Sequence, residues 1–293
     1  MARSKVNIGG GGAELTFTAY TPAVTSSVAI SSGTPTRSTP TALSVARYSL
    51  AATSIGDYAL FGGGNPTSAT VDAYNTTLTR STPTALSVAR YNFAATSIGD
   101  YALFGGGYTS ATVDAYNTTL TRSTPTALSA GRYALAATSI GDYALFGGGY
   151  TGASSATVDA YNTTLTRSTP TALSVGRYDL AATSIGDYAL FGGGYTSATV
   201  DAYNTTLTRS TPTALSVGRY DLAATSIGDY ALFGGGIPTS ATVDAYRPEA
   251  IGFYQEMPIG TVFDFGTEIT ATVKQNFIVT PATGYIKYKK GDL

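Results

Sequence analysis

The chain has 293 residues, of which 43% are hydrophobic and 34 are glycine, and its formal charge is −1; it can bury a sizeable core without metals or crosslinks. The absence of cysteine excludes a disulfide framework and any thiolate metal site. A charge this close to zero argues against a nucleic-acid partner, which asks for clustered Lys and Arg, and no segment approaches the run of about 18 apolar residues that a membrane-inserted helix needs.

From the N-terminus, residues 1–12 contain no apolar core of a secretory signal, so the expectation is synthesis in the cytoplasm without a lipid tether. Residues 1–36 hold one strand-like run, Thr16–Tyr20. The chain then repeats itself. The dipeptide Arg-Tyr recurs at Arg47, Arg90, Arg132, Arg177 and Arg219, at intervals of 43, 42, 45 and 42 residues, which gives five units. The first unit offers four strand-like pieces: A around Leu50–Ile55, B at Tyr58–Phe61, C at Thr70–Tyr74 and D around Leu78–Ser81. Four strands of about five residues, joined by connections of similar length, fill such a period. A helical repeat would need helix-period apolar stripes and would be broken by glycine triplets such as Gly62–Gly64. Gly56-Asp57 suits the tight turn of an A–B hairpin. One such unit buries too little to order itself, so neighbouring units must cover its faces.

The array opens on Arg37–Ser44, a copy of the later R-S-T-P-T-A-L-S, and closes on the C-like Val243–Tyr246. The N-terminal D-like segment can therefore complete the fifth unit and shut the array into a ring without open edges. A six-bladed ring that recruits Thr16–Tyr20 and the C-terminal segment is the alternative. On the five-blade reading, residues 1–36 and 247–293, the latter with runs at Thr261–Phe265 and Glu268–Val273, form a second, small β module. Between Arg37 and Tyr246 there are twelve Asp and ten Arg but no Lys or Glu, and all five Lys lie in the tails. Lys287, Lys289 and Lys290 are either a solvated end or a charged docking surface.

The apolar strand ending in Gly62-Gly63-Gly64, the Gly56-Asp57-Tyr58 turn before it and the Val71–Tyr74 strand after it resemble the Kelch repeat, over residues 37–246. The resemblance implies an all-β, Kelch-type β-propeller of five four-stranded blades, flanked by the two terminal segments. One departure is the Trp usual in that family, near whose place Leu78, Leu120, Leu165 and Leu207 stand. The Trp-Asp and Gly-His signatures of WD40 repeats are missing.

With no His and no Cys, the commonest general base, metal ligand and thiol nucleophile are all absent. A copper site of the galactose-oxidase kind, carried by related propellers, has no ligands to draw on here. The Asp residues recur once per unit at positions 57 and 72, which suits structure better than a pair of glycosidase carboxylates. The repeated Arg47, Arg90, Arg132, Arg177 and Arg219 read as structural, inter-blade partners of those Asp residues. No G-K-[ST] follows the glycine triplets, so they are not phosphate loops. The expectation is a protein that is not an enzyme and takes no cofactor or metal.

The differences between the units fall mainly in the B–C loop and just after Arg-Tyr. In an up-and-down blade both lie at the same end, and altered loops on a fixed scaffold are how repeat proteins place a binding surface, although drift in loops leaves the same trace. Tyr108, Tyr150 and Tyr195, with Asn92, Asp179 and Asp221, are the candidate ligand-binding residues; flat rings and hydrogen-bonding groups suit a sugar or a protein partner. The near-invariant R-S-T-P-T-A-L-S and G-D-Y-A-L-F-G-G-G pattern also resembles Kelch arrays in virion proteins of phages and prophages of Gram-positive bacteria. That resemblance implies a virion accessory protein of tail, baseplate or capsid surface. Its terminal segments would grip other virion proteins and its propeller would face a host-surface glycan or protein, without nucleic acid or membrane insertion. An intracellular Kelch scaffold for a protein partner is the alternative.

Overall fold

The computed structural model describes residue 35, residues 37–248 and the backbone of residues 277–280 and 285–288. The expected runs Thr16–Tyr20, Thr261–Phe265 and Glu268–Val273 lie outside them, as do Lys289 and Lys290. The described residues contain strands and no helix.

The first unit consists of β1 (Ala51–Ile55), β2 (Tyr58–Gly62), β3 (Val71–Asn75) and β4 (Arg80–Ser81), and the second of β5 (Ala94–Ile98), β6 (Tyr101–Gly105), β7 (Val113–Asn117) and β8 (Arg122–Ser123). The third holds β9 (Ala136–Ile140), β10 (Tyr143–Gly147), β11 (Val158–Asn162) and β12 (Arg167–Ser168); the fourth holds β13 (Ala181–Ile185), β14 (Tyr188–Gly192), β15 (Val200–Asn204) and β16 (Arg209–Ser210). Each is an antiparallel sheet in sequence order. The fifth unit has three strands, β17 (Ala223–Ile227), β18 (Tyr230–Gly234) and β19 (Val243–Tyr246). Arg37–Ser38 is not in a strand, and among the described residues the sheet of the fifth unit has three strands rather than the expected four. In the C-terminal segment β20 (Phe277–Thr280) pairs with β21 (Tyr285–Tyr288) as a hairpin, with Lys287 opposite Ile278.

Register is fixed at the first turn. Ile55 faces Tyr58 across Gly56-Asp57, and positive φ falls on Gly56 (φ 50) but not on Asp57, the arrangement of a type II′ turn. Alternation does the rest: Ala94, Thr96 and Ile98 of β5 are buried on one face, with Ala95 and Ser97 half-buried on the other.

Successive first strands pack side by side, β1 on β5, β5 on β9, β9 on β13 and β13 on β17, so the core lies between sheets rather than within one. Ile55, Leu60 and Val71 of the first unit meet Phe104 and Tyr116 of the second, and the same set recurs at the following junctions. The fit is close because a glycine receives each ring: a Cβ on Gly105 would sit 2.6 Å from a ring carbon of Phe146. Among the described strands no comparable packing joins β17 to β1, so the ring closure expected from the two ends of the array is not seen there.

Each unit also pairs the arginine at its entry with an aspartate, buried in the first four units and partly exposed at Asp244 in the fifth. Arg90 Nη2 lies 2.8 Å from Asp114 Oδ2 and donates to the Phe104 carbonyl at 3.0 Å, with both charged side chains shut off from solvent. The partners of Arg47, Arg132, Arg177 and Arg219 are Asp72, Asp159, Asp201 and Asp244. These pairs lie within a unit, not between units, which corrects the inter-blade reading of the arginine side chains. What crosses to the neighbour is the arginine carbonyl: Gly64 N–H donates to Arg90 O, and Gly107 N–H to Arg132 O, each at 2.9 Å.

Candidate functional site

The buried guanidinium fixes the connection that enters each unit, and therefore the two residues that follow the arginine. The first is an invariant tyrosine: Tyr48, Tyr91, Tyr133, Tyr178 or Tyr220. The second, at positions 49, 92, 134, 179 and 221, has φ between 51° and 55° in every unit. That left-handed turn aims its N–H at the same position of the preceding unit. Asn92 donates to Ser49 O at 3.1 Å, Ala134 to Asn92 O at 3.0 Å, Asp179 to Ala134 O at 2.9 Å and Asp221 to Asp179 O at 3.0 Å. Three of the predicted residues, Asn92, Asp179 and Asp221, thus stand in one line across the units. Burial, and then the charge of Asp221, raise the carboxyl of Asp179 above its ordinary pKa.

The loop between the second and third strands comes back to the invariant tyrosine by backbone pairing. Tyr108 N–H donates to Tyr91 O at 3.1 Å, Tyr150 N–H to Tyr133 O at 2.8 Å and Asn65 N–H to Tyr48 O at 2.7 Å. In the second and third units this sets a loop tyrosine beside an invariant one, in the fourth Tyr195 stacks on Tyr178, and the rings run on from unit to unit. Centroids are 5.5 Å apart for Tyr91–Tyr108, 5.4 Å for Tyr108–Tyr133, 5.6 Å for Tyr133–Tyr150, 5.2 Å for Tyr150–Tyr178 and 4.9 Å for Tyr178–Tyr195. Six rings therefore form one unbroken row, with Tyr91–Tyr108 and Tyr178–Tyr195 stacked and the others tilted or edge-on. The row reaches solvent, with Tyr108 50% and Tyr195 57% exposed. It ends where the loop tyrosine gives way to Asn65-Pro66 in the first unit and Ile237-Pro238 in the fifth. Burial, and then the charge of the neighbouring phenols, raises the Tyr133 and Tyr178 hydroxyls above their ordinary pKa.

The structure brings Tyr108, Tyr150 and Tyr195 together and sets Asn92, Asp179 and Asp221 one residue from the invariant rings. Reading the differences between units missed Tyr91, Tyr133 and Tyr178, half of the row. Their signal was present in the Arg-Tyr repeat itself, since an invariant large aromatic next to a buried arginine must emerge somewhere. Among the described residues no three acidic side chains gather in a way that would hold a metal ion, and no helix is long and apolar enough to cross a membrane.

No protein-family model matches the chain, and no curated protein matches its sequence.

Proposed function

We propose that the chain is a non-enzymatic binding protein whose five units are Kelch-type propeller blades, and that it binds a cell-surface glycan along the row Tyr91–Tyr108–Tyr133–Tyr150–Tyr178–Tyr195. The single observation that carries this is the continuity of the row. Six amphipathic rings at one end of three successive sheets give an extended strip with an apolar body and a hydroxyl edge, which suits the alternating C–H and O–H surfaces of a polysaccharide. Asn92, Asp179 and Asp221 add polar groups beside it. The chain has no His or Cys to act as general base or thiol nucleophile beside the strip.

The setting we propose is a virion of a phage of Gram-positive bacteria, with the terminal segments docking on the particle and the tyrosine face turned to the host. The likeness of the repeat pattern to Kelch arrays of such virion proteins supports this. Several weak sites carried on one particle would add by avidity.

The test is binding of the purified protein to intact Gram-positive cells and to their isolated wall polysaccharides, wild type against the triple variant Tyr108→Ala, Tyr150→Ala, Tyr195→Ala. Losing about 1 kcal/mol per aromatic contact predicts a drop in affinity of at least tenfold. Undiminished binding by a folded triple variant would refute the glycan reading, whereas binding only to deproteinised-sensitive cell material would move the ligand class to protein.

A further inference from the structure

We propose that the open face of the fifth unit docks on the open face of the first unit of a second copy of this chain, head to tail, repeating the interface that the chain already builds four times within itself.

The two faces are known because their mates are visible. At the junction of the first and second units, Ile55 and Val71 are 6% and 1% exposed beneath Phe104 and Tyr116. Their counterparts in the fifth unit, Ile227 and Val243, are 67% and 60% exposed. The receiving side is equally bare at the other end. Phe61 and Tyr74 are only half-buried, and Leu78 is exposed, where Phe104 and Tyr116 are fully buried. Together with Leu43 and Ala59 they line an open apolar groove on the first unit. The residues of the two faces are those of the interior junctions, unit for unit, so their shapes match without adjustment.

The groove is also preformed. Ser44 N–H donates to Asp72 Oδ1 at 3.2 Å and Tyr74 hydroxyl to Thr41 O at 2.7 Å, as Ser87 does to Asp114 at 3.1 Å and Tyr116 to Thr84 O at 2.6 Å. The backbone bonds across the junctions have loose ends in the same places. Gly64 N–H finds Arg90 O and Asn92 N–H finds Ser49 O, but among the described residues Gly236 N–H, Asp221 O, Ser49 N–H and Arg47 O have no such partner. Docking a second copy would pair Gly236 with Arg47 and Ser49 with Asp221, so the apolar and polar halves of the interface are completed together. Because the two faces differ, the contact is heterologous; successive copies form a ring if the rotation closes and a filament if it does not. The proposal stands independently of what the tyrosines bind.

The experiment uses the full chain and two single-face variants, Val243→Asp and Leu78→Asp. Both positions are exposed, and Leu78 has φ 60, which Asp tolerates, so each variant keeps its fold, as circular dichroism would verify. By sedimentation velocity the wild type should rise with concentration from 30.0 kDa to multiples of it. Each variant alone should stay monomeric. A mixture of the two should form a dimer and stop there, because each supplies the face the other has lost. A wild type that remains monomeric throughout, variants that still assemble alone, or a mixture that stays monomeric would each overturn the proposal.

Discussion

Gly147→Ala and Gly234→Ala are the same substitution in the same position of the repeat, yet opposite outcomes are expected. A Cβ on Gly147 would lie 2.7, 3.0 and 3.1 Å from three ring carbons of Phe191, which is fully buried. Carbon–carbon contacts are comfortable from about 3.5 Å, so the ring would have to retreat by nearly ~1 Å within a close-packed junction. Overpacking of this kind costs roughly 1–3 kcal/mol, and replacing a strand glycine by alanine returns about 0.5–1 kcal/mol. The net loss is on the order of 1–2 kcal/mol. On Gly234 the nearest contact of the new Cβ is Val243 Cγ2 at 3.5 Å, and no ring from a following unit approaches. There the variant keeps only the gain, about 0.5–1 kcal/mol. Urea unfolding followed by circular dichroism at high dilution reads both as shifts of midpoint in opposite directions. If Gly147→Ala were as stable as wild type, or if Gly234→Ala fell by the same amount, the glycine–phenylalanine junction would not be what holds the units together. In the head-to-tail assembly Phe61 of a second copy would sit over Gly234, so Gly234→Ala should also weaken self-association while stabilising the monomer.

Asp114→Ala strands the Arg90 guanidinium in the interior, and breaking a buried pair by removing one partner costs about 3–5 kcal/mol; thermal unfolding should show the second unit failing early. A variant as stable as wild type would mean that water reaches Arg90. The pH dependence has two signs. Burial pushes the Asp72 carboxyl up, but hydrogen bonds from Ser44 and Arg47 outweigh it and hold the group below its ordinary pKa. Its stabilisation is therefore complete above the usual carboxylate range and is lost as pH falls through the lowered folded value. Burial and Asp221 raise Asp179 instead, so its ionisation costs stability as pH rises through the usual carboxylate range and beyond it. Asp72→Asn should thus destabilise and Asp179→Asn stabilise at pH 7, with both differences shrinking in acid, as melting temperatures across pH would show.

The strands were legible in the sequence because their signals are local. Gly56 supplies the positive φ of the turn, and the glycine triplet ends β2. The end of the molecule where units differ was legible for the same reason, since a loop and its neighbouring connection must lie together in a meander. Long-range pairings were less legible, because perfect repetition makes them degenerate. Arg90 sees an identical aspartate in its own unit and in the one before, and nothing in the letters says which it takes; the structure gives Asp114 rather than Asp72. Closure fails in the same way. Ile227 has the same neighbours in sequence as Ile55, so the letters cannot tell a covered face from a bare one. The invariant half of the tyrosine row was hidden because Tyr91, Tyr133 and Tyr178 mark the repeat, and a marker of repetition reads as scaffold.

The most direct measurement for the binding face is an NMR titration of protein labelled with carbon-13 in its tyrosine rings, using soluble wall-polysaccharide fragments as the ligand. Saturable shifts should be confined to Tyr91, Tyr108, Tyr133, Tyr150, Tyr178 and Tyr195, while the buried Tyr116, Tyr161 and Tyr203 between the sheets stay still. Shifts confined to other tyrosines, or none at saturating fragment, would contradict a glycan site on this row.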